Sequence, residues 1–238
     1  MSTKVTPPAI HFRAAVALAG RFPALAGVDL NVAYGDVAVF LGANGAGKTS
    51  LLRACAGLLP VTSGEAVVIG CDVVADPLEI RRRVGLLGHA ALLYDELNPV
   101  ENVRFVLRAA RWDTVRADPA LERLGIVGRL RKTQVGRLSA GQRRRVVIAG
   151  LLARSPELWL LDEPHAGLDA STRELLGVII DEAASSGATV LLSSHEPELA
   201  VPLADRVITL AGGRVVGETT GGRKRVRSLT ERSRADVA

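Results

Sequence analysis

The chain has 238 residues, 48% of them hydrophobic, 23% charged and only 3% aromatic, with a formal net charge of +5. That is enough for one large α/β domain or two small ones, with an interior filled by aliphatic side chains and alanine. No apolar run reaches the ~18 residues of a membrane span, and Cys55 and Cys71 are spaced as neither a metal pair, a redox pair nor a disulfide framework, so a reducing cytosol is the simplest setting.

Near the start, "FRAAVALAGRFPALAG" mimics a secretory leader, but Arg21 cuts the apolar part short after Ala14–Gly20, and a leader is set aside. Residues 28–41, "VDLNVAYGDVAVFL", alternate and then turn apolar. Gly35-Asp36 between the two runs predicts a hairpin-type turn. The second run, Val37–Leu41, feeds a glycine-rich loop, after which "KTSLLRACAGLL" has the apolar spacing of a helix. "EAVVIGCDVV" (65–74) reads as further strand, and from 76 to 156 the texture is helical, as in "PVENVRFVLRAARW" and "SAGQRRRVVIAGLLARS".

Strands return at "LWLLDEP" (158–164) and "ATVLLSS" (188–194), with a helix at about 171–185 between them. "ADRVITLAGGRVVGET" adds two strand-like runs around Gly212-Gly213. Strand-rich ends around a helical middle predict a parallel α/β core carrying an inserted helical lobe at about 76–156. The domain is placed at 9–222, and 223–238 is a basic and polar tail. The tail's "GGRKRVR" could draw anionic lipid or nucleic acid weakly, but a solvated end is the plainer expectation.

"GANGAGKT" satisfies G-x-x-x-x-G-K-[ST] between an apolar strand and a helix. Gly42, Ala43, Asn44, Gly45, Ala46 and Gly47 would wrap a β-phosphate with backbone N–H groups. Lys48 would sit between β- and γ-phosphates, Thr49 would offer its hydroxyl to Mg²⁺, and Ser50 follows in the helix start. "LWLLDEP" puts two carboxylates at the end of a buried strand: Asp162 for the Mg²⁺ water shell, Glu163 to orient or deprotonate the attacking water. "VLLSSHEPE" ends a second such strand at His195, whose imidazole can contact the γ-phosphate and the water. Lys48, Glu163 and His195 are therefore the expected catalytic set.

"GRLSAGQRRR" (136–145) reads as a helix start with Ser139 as N-cap, and by itself as a capped helix with a solvated Arg143–Arg145 face. Taken in order, "GANGAGKT", "LSAGQ", "LWLLDEP", "GLD" and "SSH" resemble the ATPase subunit of ATP-binding cassette (ABC) proteins over residues 10–220. The resemblance implies a P-loop NTPase fold of ABC type: α/β, with a mixed core sheet, an antiparallel β subdomain and the inserted helical lobe. It also implies ATP and Mg²⁺ as cofactors and a head-to-tail homodimer. In that dimer Ser139, Gly141 and Gln142 would cap the nucleotide of the partner copy, as a helix N-terminus suits a polyanion. Ala140 stands where the family has a second glycine, and Asp169 matches the loop that contacts the opposite subunit.

Phe22 is the nearest aromatic for adenine stacking, at a spacing short of the family's. His89 stands where the family has a glutamine near Mg²⁺, so it joins Thr49 and Asp162 in the expected metal shell, with protonation disfavouring the metal. "LGH", "LSAGQRRR" and "LWLLDEP" are similar to one branch, the haem exporter ATPase of cytochrome c maturation, and less specifically to other export ATPases for lipids, polysaccharides or antibiotics.

The resemblance implies transmembrane permease subunits as partners, a peripheral place on the inner face of the cell membrane, and no nucleic acid. A soluble ABC ATPase acting on nucleic acid or as a switch is the rival. His11, His89, His165 and His195 form no haem-ligand pattern, and His165 is expected in a loop near the nucleotide.

Overall fold

The computed structural model describes residues 7–88 and 92–223. β1 (Ile10–Ala19) and β2 (Phe22–Val32) pair antiparallel around Gly20-Arg21, so the leader-like stretch is a hairpin. Phe12, Ala15, Ala17, Leu25, Val28, Leu30 and Val32 are buried while Arg13, Asp29 and Asn31 face out, the alternation of a half-buried sheet. β4 (Val61–Val68) and β5 (Cys71–Asp72) complete a four-stranded antiparallel sheet ordered β2-β1-β4-β5. The run at 65–74 is thus two strands, broken where Ile69 and Gly70 both take positive φ.

The second sheet has six strands: β3 (Val37–Leu41), β6 (Val84–Leu87), β7 (Leu158–Asp162), β8 (Thr189–Ser193), β9 (Arg206–Ala211) and β10 (Arg214–Thr220). Their order is β10-β9-β3-β8-β7-β6. All neighbours are parallel except β10, which returns antiparallel on β9, so the sheet is mixed as expected.

The hairpin expected at Gly35-Asp36 does not form, because β2 and β3 lie in different sheets. β3 is buried on both faces: Val37 and Val39 join one core, Ala38 and Phe40 the other. Such a strand belongs at the centre of a parallel sheet, between β8 and β9, rather than against an exposed partner. β7 divides the same way, Leu158 and Leu160 to one core and Trp159 and Leu161 to the other. Each such aliphatic side chain contributes about 1.5–3 kcal/mol by leaving water.

The helices are α1 (Lys48–Cys55), α2 (Pro77–Arg83), α3 (Pro99–Ala109), α4 (Ala117–Arg123), α5 (Ala140–Arg154), α6 (Ala170–Ser185) and the single turn α7 (Pro197–Ala200). α1 packs between the sheets in one core; α3 to α6 cover the opposite face in the other. β6 falls inside the stretch read as helical: "VGLL" is too short to show a period, yet it forms the sheet edge beside β7. At the far end Arg223 is anchored by Asp181 and Asp205, each at 2.9 Å.

Candidate active site

The parallel strands β3, β7 and β8 end on one side of the sheet, and each delivers part of one cavity of ≈550 Å³. β3 runs into the phosphate loop. Gly47 caps α1 in a left-handed conformation (φ 107°), and a Cβ there would stand 2.9 Å from the carbonyl of Ala24, so only glycine closes this turn. Gly213 N–H donates to Ala46 O at 3.0 Å and Ala26 N–H to Gly213 O at 2.8 Å, tying the loop to the β9–β10 turn and to β2. Lys48 is buried, its Nζ donating to the carbonyls of Gly42 (2.6 Å) and Ala43 (3.2 Å).

β7 delivers the carboxylates. The Thr49 hydroxyl donates to Asp162 Oδ2 at 2.9 Å, so the two side chains expected at a metal meet across 113 residues of sequence. Asp162 is 5% exposed and also accepts from Ser193 Oγ on β8 at 2.6 Å. A hydroxyl and a carboxylate beside a loop of backbone N–H groups suit Mg²⁺ with a polyphosphate, a hard cation that takes oxygen ligands. His89 lies outside the described residues.

Glu163 follows directly, at φ 48°, a left-handed backbone costing a non-glycine residue about 1–2 kcal/mol. Its N–H donates to Ser193 O (3.2 Å) and Ser193 Oγ (3.1 Å). Its carboxylate Oε2 accepts from His195 N–H at 3.2 Å and from His195 Nδ1 at 2.7 Å. A carboxylate can only accept, so the pair puts the imidazole proton on Nδ1. The carboxylate and imidazole both line the cavity, with Asn44, Gly45, Ala46, Gly47, Lys48, Thr49, Ser50 and Asp162.

Ser139, Gly141 and Gln142 are not in this lining. They open α5 with a reciprocal cap: Ser139 Oγ accepts from Gln142 N–H at 3.2 Å, and Gln142 Oε1 accepts from Ser139 N–H at 2.9 Å. At Gly141 a Cβ would lie 2.9 Å from Gly167 O, so the helix start presses against the loop leading to Asp169. Asp169 caps α6 and is held at about 2 by hydrogen bonds, from Thr172 first and then Ser171. Phe22 is 79% exposed and lines no part of the cavity, where Ala24 stands instead.

Sequence reading missed two contributors. Ser193 belongs to "VLLSSH", whose signal in the sequence is its histidine, although a hydroxyl at the end of β8 sits beside the end of β7. Arg144 stands in an arginine run that reads as a solvated face. Arg143 does pair outward with Asp95 at 2.7 Å, but Arg144 is buried on the side of Ile148 and Leu151.

A phosphate loop, a strand-end Asp-Glu pair and a strand-end His around one cavity define a P-loop nucleotide-binding cassette. A family model described as ABC transporter matches residues 25–166, and the chain belongs to this family. The daunorubicin resistance ATP-binding protein DrrA3 of Streptomyces coeruleorubidus is 42% identical over 83% of this chain, which spans 63% of that protein's length. The phosphonates import ATP-binding protein PhnC 2 of Nostoc sp. is 36% identical over 82% of this chain and 85% of its own. Among solved structures, the dimeric post-hydrolysis state of the ATP-binding cassette MJ0796 bound to ADP and Pi superposes with a TM-score of 0.81, at 26% identity over 90% of this chain and 99% of that one.

Proposed function

We propose that this chain is the ATP-hydrolysing subunit of an ABC transporter of export type, working as a head-to-tail dimer beneath membrane permease subunits. The observation that carries the reading is that Thr49–Asp162 and Glu163–His195, two separate hydrogen-bonded pairs, open onto the same cavity as the phosphate loop. The loop N–H groups and Lys48 would hold the β- and γ-phosphates of ATP, and Thr49 with Asp162 would hold Mg²⁺, which would supply charge neutralisation at the phosphate oxygens. Glu163 orients the attacking water and takes its proton, and His195 fixes the Glu163 carboxylate through its ring Nδ1 and its backbone N–H.

The dimer reading is supported by the signature residues. Ser139 and Gly141 do not line their own chain's cavity, which leaves the helix N-terminus available to a second copy's γ-phosphate. The solved relative described above is itself a dimer. No described helix is long and apolar enough to cross a membrane. A groove of ≈200 Å³ is lined by Leu86, Gly88, Leu92, Leu93, Val103 and Val106. With Arg154 at its edge it suits an apolar cytoplasmic segment of a permease that carries an acidic residue.

Haem export is favoured by "LGH" and "LSAGQRRR"; export of a drug-like cargo is favoured by the likeness to a daunorubicin resistance protein. Replacing Glu163 by Gln should keep ATP binding, trap an ATP-bound dimer, and lower hydrolysis by about 10²-fold or more. A wild-type rate overturns the assignment. Mass spectrometry of membrane subunits captured with the trapped dimer separates the two cargo classes.

A further inference from the structure

Arg144, in the second turn of α5, is 6% exposed, and its guanidinium bonds to main-chain carbonyls. Nη1 donates to Gly88 O at 2.6 Å; Nη2 donates to Asp162 O at 3.1 Å and Glu163 O at 2.9 Å. Its Nε has no partner among the described residues. A cation buried this deeply is costly to desolvate and is tolerated where its geometry is needed. Burial lowers its basicity, with Asp162 opposing that effect.

The acceptors sit at the ends of β6 and β7. One of them belongs to Glu163, whose backbone is left-handed. A strained residue keeps its conformation only when its neighbours over-determine it. On the amino side Ser193 does this through two hydrogen bonds to Glu163 N–H. On the carbonyl side Glu163 O accepts from Ala166 N–H at 3.2 Å and, more closely, from Arg144.

We infer that Arg144 is a positioning residue for ATP hydrolysis: reaching in from the helix that begins at Ser139, its guanidinium holds Glu163 in the left-handed geometry that aims the carboxylate at His195. The inference rests on the proposed function, with Glu163 as base. It means that the helix covering the partner's nucleotide also sets the base of its own chain's site. The same guanidinium ties both to Gly88, next to the segment that carries His89.

A small misalignment of a base can cost on the order of 10²-fold in rate, so Arg144→Met should lower kcat by about ten- to hundredfold while KM for ATP changes by less than about twofold. If Arg144 acts only through Glu163, the two losses are not additive. In a Glu163→Gln background, Arg144→Met should lower the residual rate by less than about twofold, and the ATP-bound dimer should persist by size-exclusion chromatography. Ser139→Ala in that background should weaken the dimer.

Arg144→Gln, which keeps a neutral donor, serves as the second variant should the methionine protein not fold, with kcat between the two. An unchanged kcat, an equal further loss in the Glu163→Gln background, or loss of the dimer would each overturn the inference. A Glu163→Gln protein as fast as wild type sinks the proposed function instead. A slow Glu163→Gln beside a fast Arg144→Met sinks the inference alone.

Discussion

His165 is 4% exposed, and its Nδ1 has no hydrogen-bond partner among the described residues. Burial pushes the imidazole below its ordinary value; Glu196 and Glu163 pull it back up, and Arg173 and Arg144 push it further down. The folded protein therefore binds a proton at His165 less readily than the unfolded chain, whose imidazole is protonated below about 6.5. Its contribution to stability is complete above that pH and drains away as pH falls towards the folded-state value. Thermal melts should show Tm falling between pH 7 and pH 5, with a shallower fall in His165→Gln; identical slopes would exclude His165 as the cause. The loop position of His165 could be read from its place after Pro164, but not its burial, nor its nearness to Glu196 and Arg173, which stand apart from it in sequence. Lys48 and Thr49 were legible from the spacing of the glycine-rich loop, and Asp162, Glu163 and His195 from their places at the ends of apolar strands. Arg144 was not, since a run of three arginines looks solvated unless the helical period is followed to Ile148 and Leu151.

At the scale of elements, α5 shows one residue serving two purposes. Ser139 satisfies the free N–H groups of its own helix, a cap whose loss costs about 0.5–2 kcal/mol, and in the proposed dimer it also faces a triphosphate. Ser139→Asp separates the two, because aspartate caps equally well yet carries a negative charge towards the polyanion. Differential scanning calorimetry should find Tm nearly unchanged, while ATP-driven dimerisation is lost. Retention of the dimer would mean that Ser139 does not approach phosphate. The start of α5 was readable from Ser139 and Gln142, and the β9–β10 hairpin from Gly212-Gly213. The turn at Gly35-Asp36 misled, since glycine next to aspartate marks a reversal without saying which sheet takes the next strand. The answer lay in β3 being apolar at successive positions, the mark of a strand covered on both faces.

Over the whole molecule, two cores on opposite faces of one sheet leave the apolar groove between β6, α3 and α5 as a place where hydrophobic side chains still meet water, with Leu92 87% exposed and Val106 38%. Val106→Asp should abolish co-purification with membrane subunits while the isolated protein hydrolyses ATP at its usual rate. Undiminished co-purification would place the permease contact elsewhere. The order of motifs made the layered plan legible from sequence. The antiparallel sheet was half hidden, because β1 and β2 are rich in alanine and pass for a leader until their alternation is matched strand to strand.

The turn at Gly213 reaches both Ala46 and Ala26, so the cradle for phosphate, the end of the mixed sheet and the antiparallel sheet are stitched at a single point. A load arriving at the cradle finds no play there: those parts must travel as one block.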